Sequence, residues 1–121
     1  MTTMITSEQA RRFAEDWIDA WNRHDLGRIL EHYAEDVVFS SPFAVRLIPG
    51  GDGTVRGLAA LREYFQAGLA TYPELRFTLR HVAVGVDSVT LLYDSVKGLL
   101  AAETMILNDR LQVTRALAHY A

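Results

Sequence analysis

Cysteine is absent from this 121-residue sequence. The chain therefore has no disulfide, no thiol nucleophile and no thiolate metal ligand, which is typical of a reducing compartment. Lysine and arginine together number 12 against 15 aspartates and glutamates, so the net charge is −3. Binding to phosphate backbones needs clustered basic side chains, and nucleic acid is therefore not an expected partner.

Long apolar runs and cofactor motifs are also absent. No stretch approaches the roughly 18 apolar residues of a membrane span, and residues 1–12 lack the apolar run of a signal peptide. We therefore expect a cytoplasmic protein with no membrane partner. The histidines are dispersed and no glycine-rich phosphate loop is present, so neither a metal site nor a cofactor is expected.

The composition favours one folded domain over residues 1–121. Half of the residues are hydrophobic and 22% are charged, which is close to average globular usage. A chain of this length can bury one core but is too short for two ordinary domains.

Helical periodicity predicts three helices. Ser7 begins the first, which runs to His24 with the apolar stripe Ala10, Phe13, Ala14, Trp17, Ile18 and Trp21. Asp25 caps a short second helix, and the third runs from Leu58 until Pro73 ends it. Two prolines and several glycines between positions 41 and 57 predict a long loop or a loose hairpin there.

Strands dominate the rest of the chain. Residues 37–39 predict a short strand, and period-two alternation after Pro73 predicts strands near 75–86, 89–96, 99–107 and 111–120. A phase slip at His81 indicates a β-bulge. Helices at the start and antiparallel strands at the end predict an α+β fold with three helices packed on a curved sheet.

Four segments carry a resemblance to a known family. They are WIDAWNRHDL at 17–26, YAEDVVFSSP at 33–42, GLAALREYF at 57–65 and TRAL at 114–117. The sequence resembles the SnoaL-like and ketosteroid isomerase-like domains of the nuclear transport factor 2-like superfamily. The resemblance implies a cone-shaped α+β barrel with an apolar pocket, and it is compatible with many activities.

The resemblance also directs attention to three positions. Ser41 stands where ketosteroid isomerases have the aspartate that moves the proton. Trp17 stands where they have a tyrosine that donates a hydrogen bond to the enolate oxygen. Glu103 falls near their protonated carboxylic acid, which is the second donor. Classical ketosteroid isomerisation is therefore disfavoured, although Glu103 and Ser41 stay candidate catalytic residues.

Glu103 interrupts an apolar face of its strand, and two interpretations are open. A carboxylate there is protonated, ion-paired or at a wet pocket mouth, because burying an unpaired charge is costly. A third residue in the turn at 108–109 would place Glu103 opposite Arg115, in a salt bridge. A strict two-residue turn would place it beside Thr114, free for the pocket.

His119 is a third catalytic candidate, because a histidine near a glutamate can act as a general base. If the resemblance holds, however, Ala116, Ala118 and Tyr120 face the pocket and His119 faces away. Aromatic side chains at helical spacing are either simple core or a ligand-binding lining. We expect the lining to comprise Trp17, Trp21, Tyr33, Phe39, Phe65, Tyr93 and Met105.

Three functions follow as hypotheses. The first is a cofactor-independent isomerase or cyclase that acts on an apolar carbonyl compound, with Glu103 as acid or base and Tyr93, Trp17 and Ser41 orienting the substrate oxygen. The second is a non-catalytic carrier or sensor of an apolar ligand. The third is an interaction module. A homodimer through the outer face of the sheet, with Leu111, Val113 and Leu117, is also expected.

Overall fold

The structure is a computed structural model that describes residues 4–121. Its first helix, α1, spans Ser7–Asn22, and Thr6 is the N-cap. The Thr6 hydroxyl accepts the backbone N–H of Gln9, while the Gln9 side chain accepts the Thr6 N–H, which completes a capping box. The sequence interpretation took Ser7 as the capping residue, one position late, and missed this pair. The predicted stripe of α1 is buried apart from the half-buried Ile18.

Two further helices confirm the periodicity. Helix α2 spans Leu26–Glu31 with Asp25 as the predicted N-cap, and α4 spans Leu58–Thr71. Asp16 and Asp19 of α1 both contact the guanidinium of Arg28, at 2.5 and 2.9 Å, and so tie α1 to α2.

The segment 41–57 is more ordered than the predicted loop. It contains a fourth helix, α3, at Pro42–Leu47, and a short strand, β2, at Thr54–Arg56. The Ser41 hydroxyl accepts the Phe43 N–H, and Pro42 occupies the first turn, where its missing N–H is harmless. The loop alternative was wrong because it treated proline and glycine only as helix breakers, whereas the antiparallel pairing of β2 with the preceding strand agrees with the loose-hairpin alternative.

Six strands form one curved, open sheet in the order β2-β1-β6-β5-β4-β3. The other five strands are β1 Tyr33–Ser40, β3 Thr78–Val84, β4 Ser88–Asp94, β5 Leu100–Leu107 and β6 Val113–Tyr120. The predicted antiparallel pairing is present in every pair except β1–β6, which is parallel. The α+β class is confirmed, but among the described strands β2 and β3 remain edges and do not close a barrel.

The predicted bulge is present in β3. Leu79 pairs with Tyr93 and His81 with Leu92, so Arg80 is the extra residue. Strand β3 begins at Thr78 and not at position 75. Leu75 and Phe77 precede it as buried, non-strand residues that help to line the space between sheet and helices.

The inner face of the sheet packs against α1 and α4. Val113 is fully buried in this core, so the prediction that it lies on an outer dimer surface was wrong. Leu117 pairs with Thr104, and both are half-buried. A homodimer through the outer face stays a prediction. In the described part of the chain, every helix is too short or too polar to cross a membrane.

Asn22 fastens the end of α1 to the segment that precedes β3. Its amide nitrogen donates to the Phe77 carbonyl at 2.9 Å, and its amide oxygen accepts the Phe77 N–H at 2.6 Å. Nε2 of His24 lies 2.8 Å from the Leu75 carbonyl oxygen. These contacts satisfy backbone groups that have no strand partner, and they fix Leu75 and Phe77 under α1.

Replacing Asn22 with alanine should lower the free energy of unfolding by about 1–3 kcal/mol, because both Phe77 backbone groups lose their partner. The local measurement is hydrogen exchange at the Phe77 amide, which should accelerate. Asn108→Ala is the matched control, since the Asn108 side chain bonds only within its own turn. Unchanged Phe77 exchange in Asn22→Ala would contradict this role.

Candidate functional site

A cavity of about 70 Å³ lies between the helices and the inner face of the sheet. Its wall is almost entirely apolar and aromatic, with a few polar groups. The lining comprises Trp17, Trp21, Phe39, Phe43, Leu47, Tyr64, Phe65, Gly68, Tyr72, Leu75, Phe77, Tyr93, Ser95, Val96, Glu103 and Tyr120.

Glu103 is the only acidic or basic residue in that lining, and just 2% of its surface is exposed. The Tyr93 hydroxyl donates to Oε1 of Glu103 at 2.7 Å. The other oxygen, Oε2, is buried and has no hydrogen-bond partner within residues 4–121. An unsatisfied buried carboxyl oxygen costs free energy, so this atom is available to a ligand or to a transferred proton.

Burial raises the pKa of Glu103 from its ordinary 4.5 to about 7. The Tyr93 hydrogen bond stabilises the ionised form and opposes part of that rise. The carboxyl therefore exchanges its proton near neutral pH, which is a property of acid–base catalysts as well as of some structural groups.

Tyrosine hydroxyls surround the carboxyl. Burial raises the pKa of Tyr33, Tyr64, Tyr93 and Tyr120, and the negative charge of Glu103 raises each further. Tyr64 reaches about 12. All four are therefore neutral donors at neutral pH, so the site has one ionisable group amid uncharged hydroxyls.

The two tryptophans differ in their hydrogen bonding. Nε1 of Trp17 donates to the Tyr33 hydroxyl at 3.0 Å in the core, so its N–H is already occupied. Nε1 of Trp21 is buried and has no partner at hydrogen-bond geometry among the described residues, although it lies close enough to the Tyr33 hydroxyl to lower the pKa of that group. The indole N–H in the cavity wall without a hydrogen bond is therefore that of Trp21 and not that of Trp17, to which the sequence analysis gave the donor role.

The turn between β5 and β6 decides the register of Glu103. Residues 108–112 separate the strands, and Glu103 pairs with Ala118. Both predicted partners, Arg115 and Thr114, were wrong because the turn has five residues and the register shifts by one more residue between Ile106 and Leu107. The small side chain of Ala118 leaves the space beside the carboxyl open.

His119 lies on the exposed face, as the alternation indicated for the case in which the family resemblance holds. Its Nδ1 is 3.0 Å from the Ala102 carbonyl oxygen, and its neighbour in the cavity wall is Tyr120. The structure therefore separates His119 from Glu103. This placement corrects the sequence hypothesis, which gave His119 a direct catalytic role.

Three other candidates are buried without lining the cavity: Ser41, Tyr33 and Met105. Ser41 caps α3, although its hydroxyl also lowers the pKa of Tyr64 and Tyr120 and so lies close to both. Trp17, Trp21, Phe39, Phe65, Tyr93 and Glu103 do line it.

Sequence reasoning missed part of the wall. Phe43 and Leu47 were assigned to a loop, so no direction was predicted for their side chains. Tyr64 directly precedes the predicted Phe65 on α4, and the two side chains leave the helix on adjoining sides. Phe77 stacks on Trp17, with ring centroids 5.9 Å apart, through a segment that was interpreted as strand.

A metal-binding cluster of three or more histidine or carboxylate side chains is absent from residues 4–121.

Residues 14–105 match the family described as the SnoaL-like domain. The chain belongs to this family. A SnoaL-like protein of unknown function from Burkholderia thailandensis is 41% identical, with a TM-score of 0.93 over 98% of both chains. None of the curated proteins matches this chain in sequence.

More distant structures share the fold. The epoxide hydrolase/cyclase-like enzyme SalBIII, which has a role in pyran ring formation in the polyether salinomycin, is 17% identical with a TM-score of 0.74. That match covers 94% of this chain and 92% of SalBIII. A candidate ketosteroid isomerase from Kribbella flavida is 19% identical with a TM-score of 0.73, over 94% and 78% of the two chains. The SnoaL-like family thus has isomerase-like and cyclase-like structural neighbours.

The raised pKa of Glu103 predicts a loss of stability as the pH rises from about 4.5 to about 7. In that window the unfolded chain ionises Glu103 while the folded chain keeps the proton, so rising pH favours unfolding. At about 1.4 kcal/mol per pH unit, the loss totals about 3 kcal/mol. Urea unfolding across this pH range measures it.

Glu103→Gln should remove this contribution to the pH dependence, because glutamine does not titrate. The matched control is Glu63→Gln on the exposed side of α4, which should keep the wild-type slope. Equal slopes for wild type and Glu103→Gln would show that the carboxyl titrates normally.

Proposed function

We propose that this SnoaL-like protein is a cofactor-independent enzyme that moves a proton next to the carbonyl group of an apolar small molecule, as an isomerase or cyclase does. The single observation that carries the proposal is Glu103: a carboxyl in an aromatic cavity with a pKa of about 7 and one unpartnered oxygen. A general base works best when its pKa lies near the working pH.

The geometry suggests how the proton moves. Oε1 is held by Tyr93, which leaves Oε2 to accept a proton from the carbon beside the substrate carbonyl. The C–H electron pair becomes the enolate double bond, and negative charge collects on the carbonyl oxygen. The N–H of Trp21 is the unoccupied donor that would stabilise this oxygen.

The protonated Glu103 then returns the proton. When the substrate is a β,γ-unsaturated ketone, the enolate is a conjugated dienolate, and delivery of the proton to its γ-carbon moves the double bond into conjugation with the carbonyl. Glu103 then regains its starting state. In a cyclase, the enolate carbon instead attacks a second carbonyl of the same molecule, and the new alkoxide takes the proton. The aromatic wall excludes water, which strengthens each polar contact inside the cavity.

A carrier is the second candidate. Ser41 occupies the position at which ketosteroid isomerases have their aspartate base. Its hydroxyl accepts a hydrogen bond at the N-terminus of α3. Glu103 and Trp21 would then act only as anchors for a bound ligand. Binding without proton transfer distinguishes this candidate from an enzyme.

Glu103→Gln should slow proton transfer by about 10²–10⁴-fold, because the general acid–base group is lost. The measurement is deuterium incorporation beside the carbonyl of 2-butanone and a panel of small open-chain ketones in D₂O, followed by mass spectrometry. The wild-type rate should rise as the pH passes through about 7 and then level off, since the base form is required.

Glu63→Gln makes the same chemical change on the exposed face of α4 and should leave the rate unaffected. If the wild type and Glu103→Gln exchange at equal rates, Glu103 is not the base. If ketones bind to the wild type without any exchange, the carrier is favoured.

A further inference from the structure

A second, open groove of about 410 Å³ adjoins the cavity. Tyr72, Leu75, Ser95 and Val96 belong to the walls of both. The groove is therefore the outer continuation of the cavity, between the end of α4 and the turn after β4. A ligand that enters the cavity at this boundary has its outer part in the groove.

The groove has a different polarity from the cavity. Its other wall residues include the cations Arg76 and Lys97 and one carboxylate, Glu74. Two positive charges against one negative charge make this mouth locally basic on a chain of net charge −3.

Both cations lack an ion-pair partner within the described residues. Four arginines elsewhere, at positions 12, 23, 28 and 80, are paired with aspartate or glutamate. Arg76 and Lys97 are exposed and free to bind an anion. A carboxylate that forms charge-assisted hydrogen bonds with them would gain more than one bound by neutral donors.

Lys97 is held close to the cavity boundary. It lies in the turn Val96–Gly98 with left-handed backbone angles, φ 58° and ψ 24°. Its ammonium group is 5.8 Å from the centre of the Tyr72 ring, a cation–π contact with a residue that belongs to both walls.

The size of the inner cavity requires a ligand that extends outward. A dry cavity of about 150 Å³ holds a benzene ring, whereas this one measures about 70 Å³. A multi-ring ligand does not fit inside it as the wall stands. The bound molecule must place only a small apolar part inside and leave the remainder in the groove.

We propose that the ligand is an amphipathic carboxylate: a small apolar ketone part sits in the cavity near Glu103 and Trp21, and a carboxylate at the other end binds Lys97 and Arg76. The ketone part rests on the proposed function, whereas the carboxylate subsite depends only on the groove. Substrates of this class are open-chain keto acids.

The probe is 7-oxooctanoate, a chain with a methyl ketone at one end and a carboxylate at the other, compared with its neutral methyl ester by calorimetry. The acid should bind the wild type about tenfold more tightly than the ester, and high salt should reduce that difference because the groove is exposed. Lys97→Gln and Arg76→Gln should each weaken acid binding about two- to fivefold, as expected for exposed charge pairs, without affecting the ester.

The matched control is Arg110→Gln. Arg110 is exposed at the opposite end of β5, so its loss should leave both affinities unchanged. Equal affinities for acid and ester in the wild type would overturn the proposal, as would an equal loss in Arg110→Gln. Two groove variants are used so that a folding defect in one, checked by thermal melting, leaves the test intact.

Chemical labelling gives an independent readout, since Lys97 is the only lysine in the sequence. The acid should slow reductive methylation of Lys97 severalfold relative to the α-amino group, and the ester should not. Equal protection by acid and ester would count against the subsite. Glu103→Gln should keep acid binding while losing deuterium exchange, so failure of the subsite and failure of the proposed reaction give different results.

Discussion

The burial of one carboxyl group is the constraint on which the interior of this protein depends. Glu103 lies on β5 between the buried Ala101 and Met105, on a face that is otherwise apolar. Moving the ionised carboxylate of Glu103 out of water costs free energy, and the one hydrogen bond from Tyr93 offsets only part of that cost. The tyrosines around Glu103 stay neutral for the same reason, since each sits in the same dry environment. The polarity of the whole cavity therefore follows from one residue.

The aromatic side chains have two functions at once. Trp17 packs on Trp21, Phe77 and Tyr93 at centroid distances of 5.3–6.0 Å, and the same rings form the cavity wall. The alternatives of core and lining, which the sequence left open, are therefore not exclusive. A wall that is also core is rigid, because its side chains are fixed by their contacts with one another.

The amount that could be predicted from sequence depended on the range of each interaction. The stripe of α1, the Asp25 cap and the Arg80 bulge are encoded by residues within a few positions of one another, and the sequence predicted them with small errors. The apolar neighbours of Glu103 on its strand made it predictable that burying this carboxyl is costly. Its register was not, because the partner depends on the conformation of the turn 108–112. The free donor on Trp21 and the parallel pairing of β1 with β6 arise between distant segments and left no local signal.

Helix α3 has a consequence for how this cavity can change. It has six residues, too few to be stable by itself, so its position depends on packing of Phe43 against Tyr72 and Tyr120. Phe43 and Leu47 supply wall on the side of the cavity that α3 covers. Substitutions in this short segment can therefore alter the volume available to a ligand while the strand that holds Glu103 stays unchanged. Cavity size can thus diverge through α3 independently of β5 and Glu103.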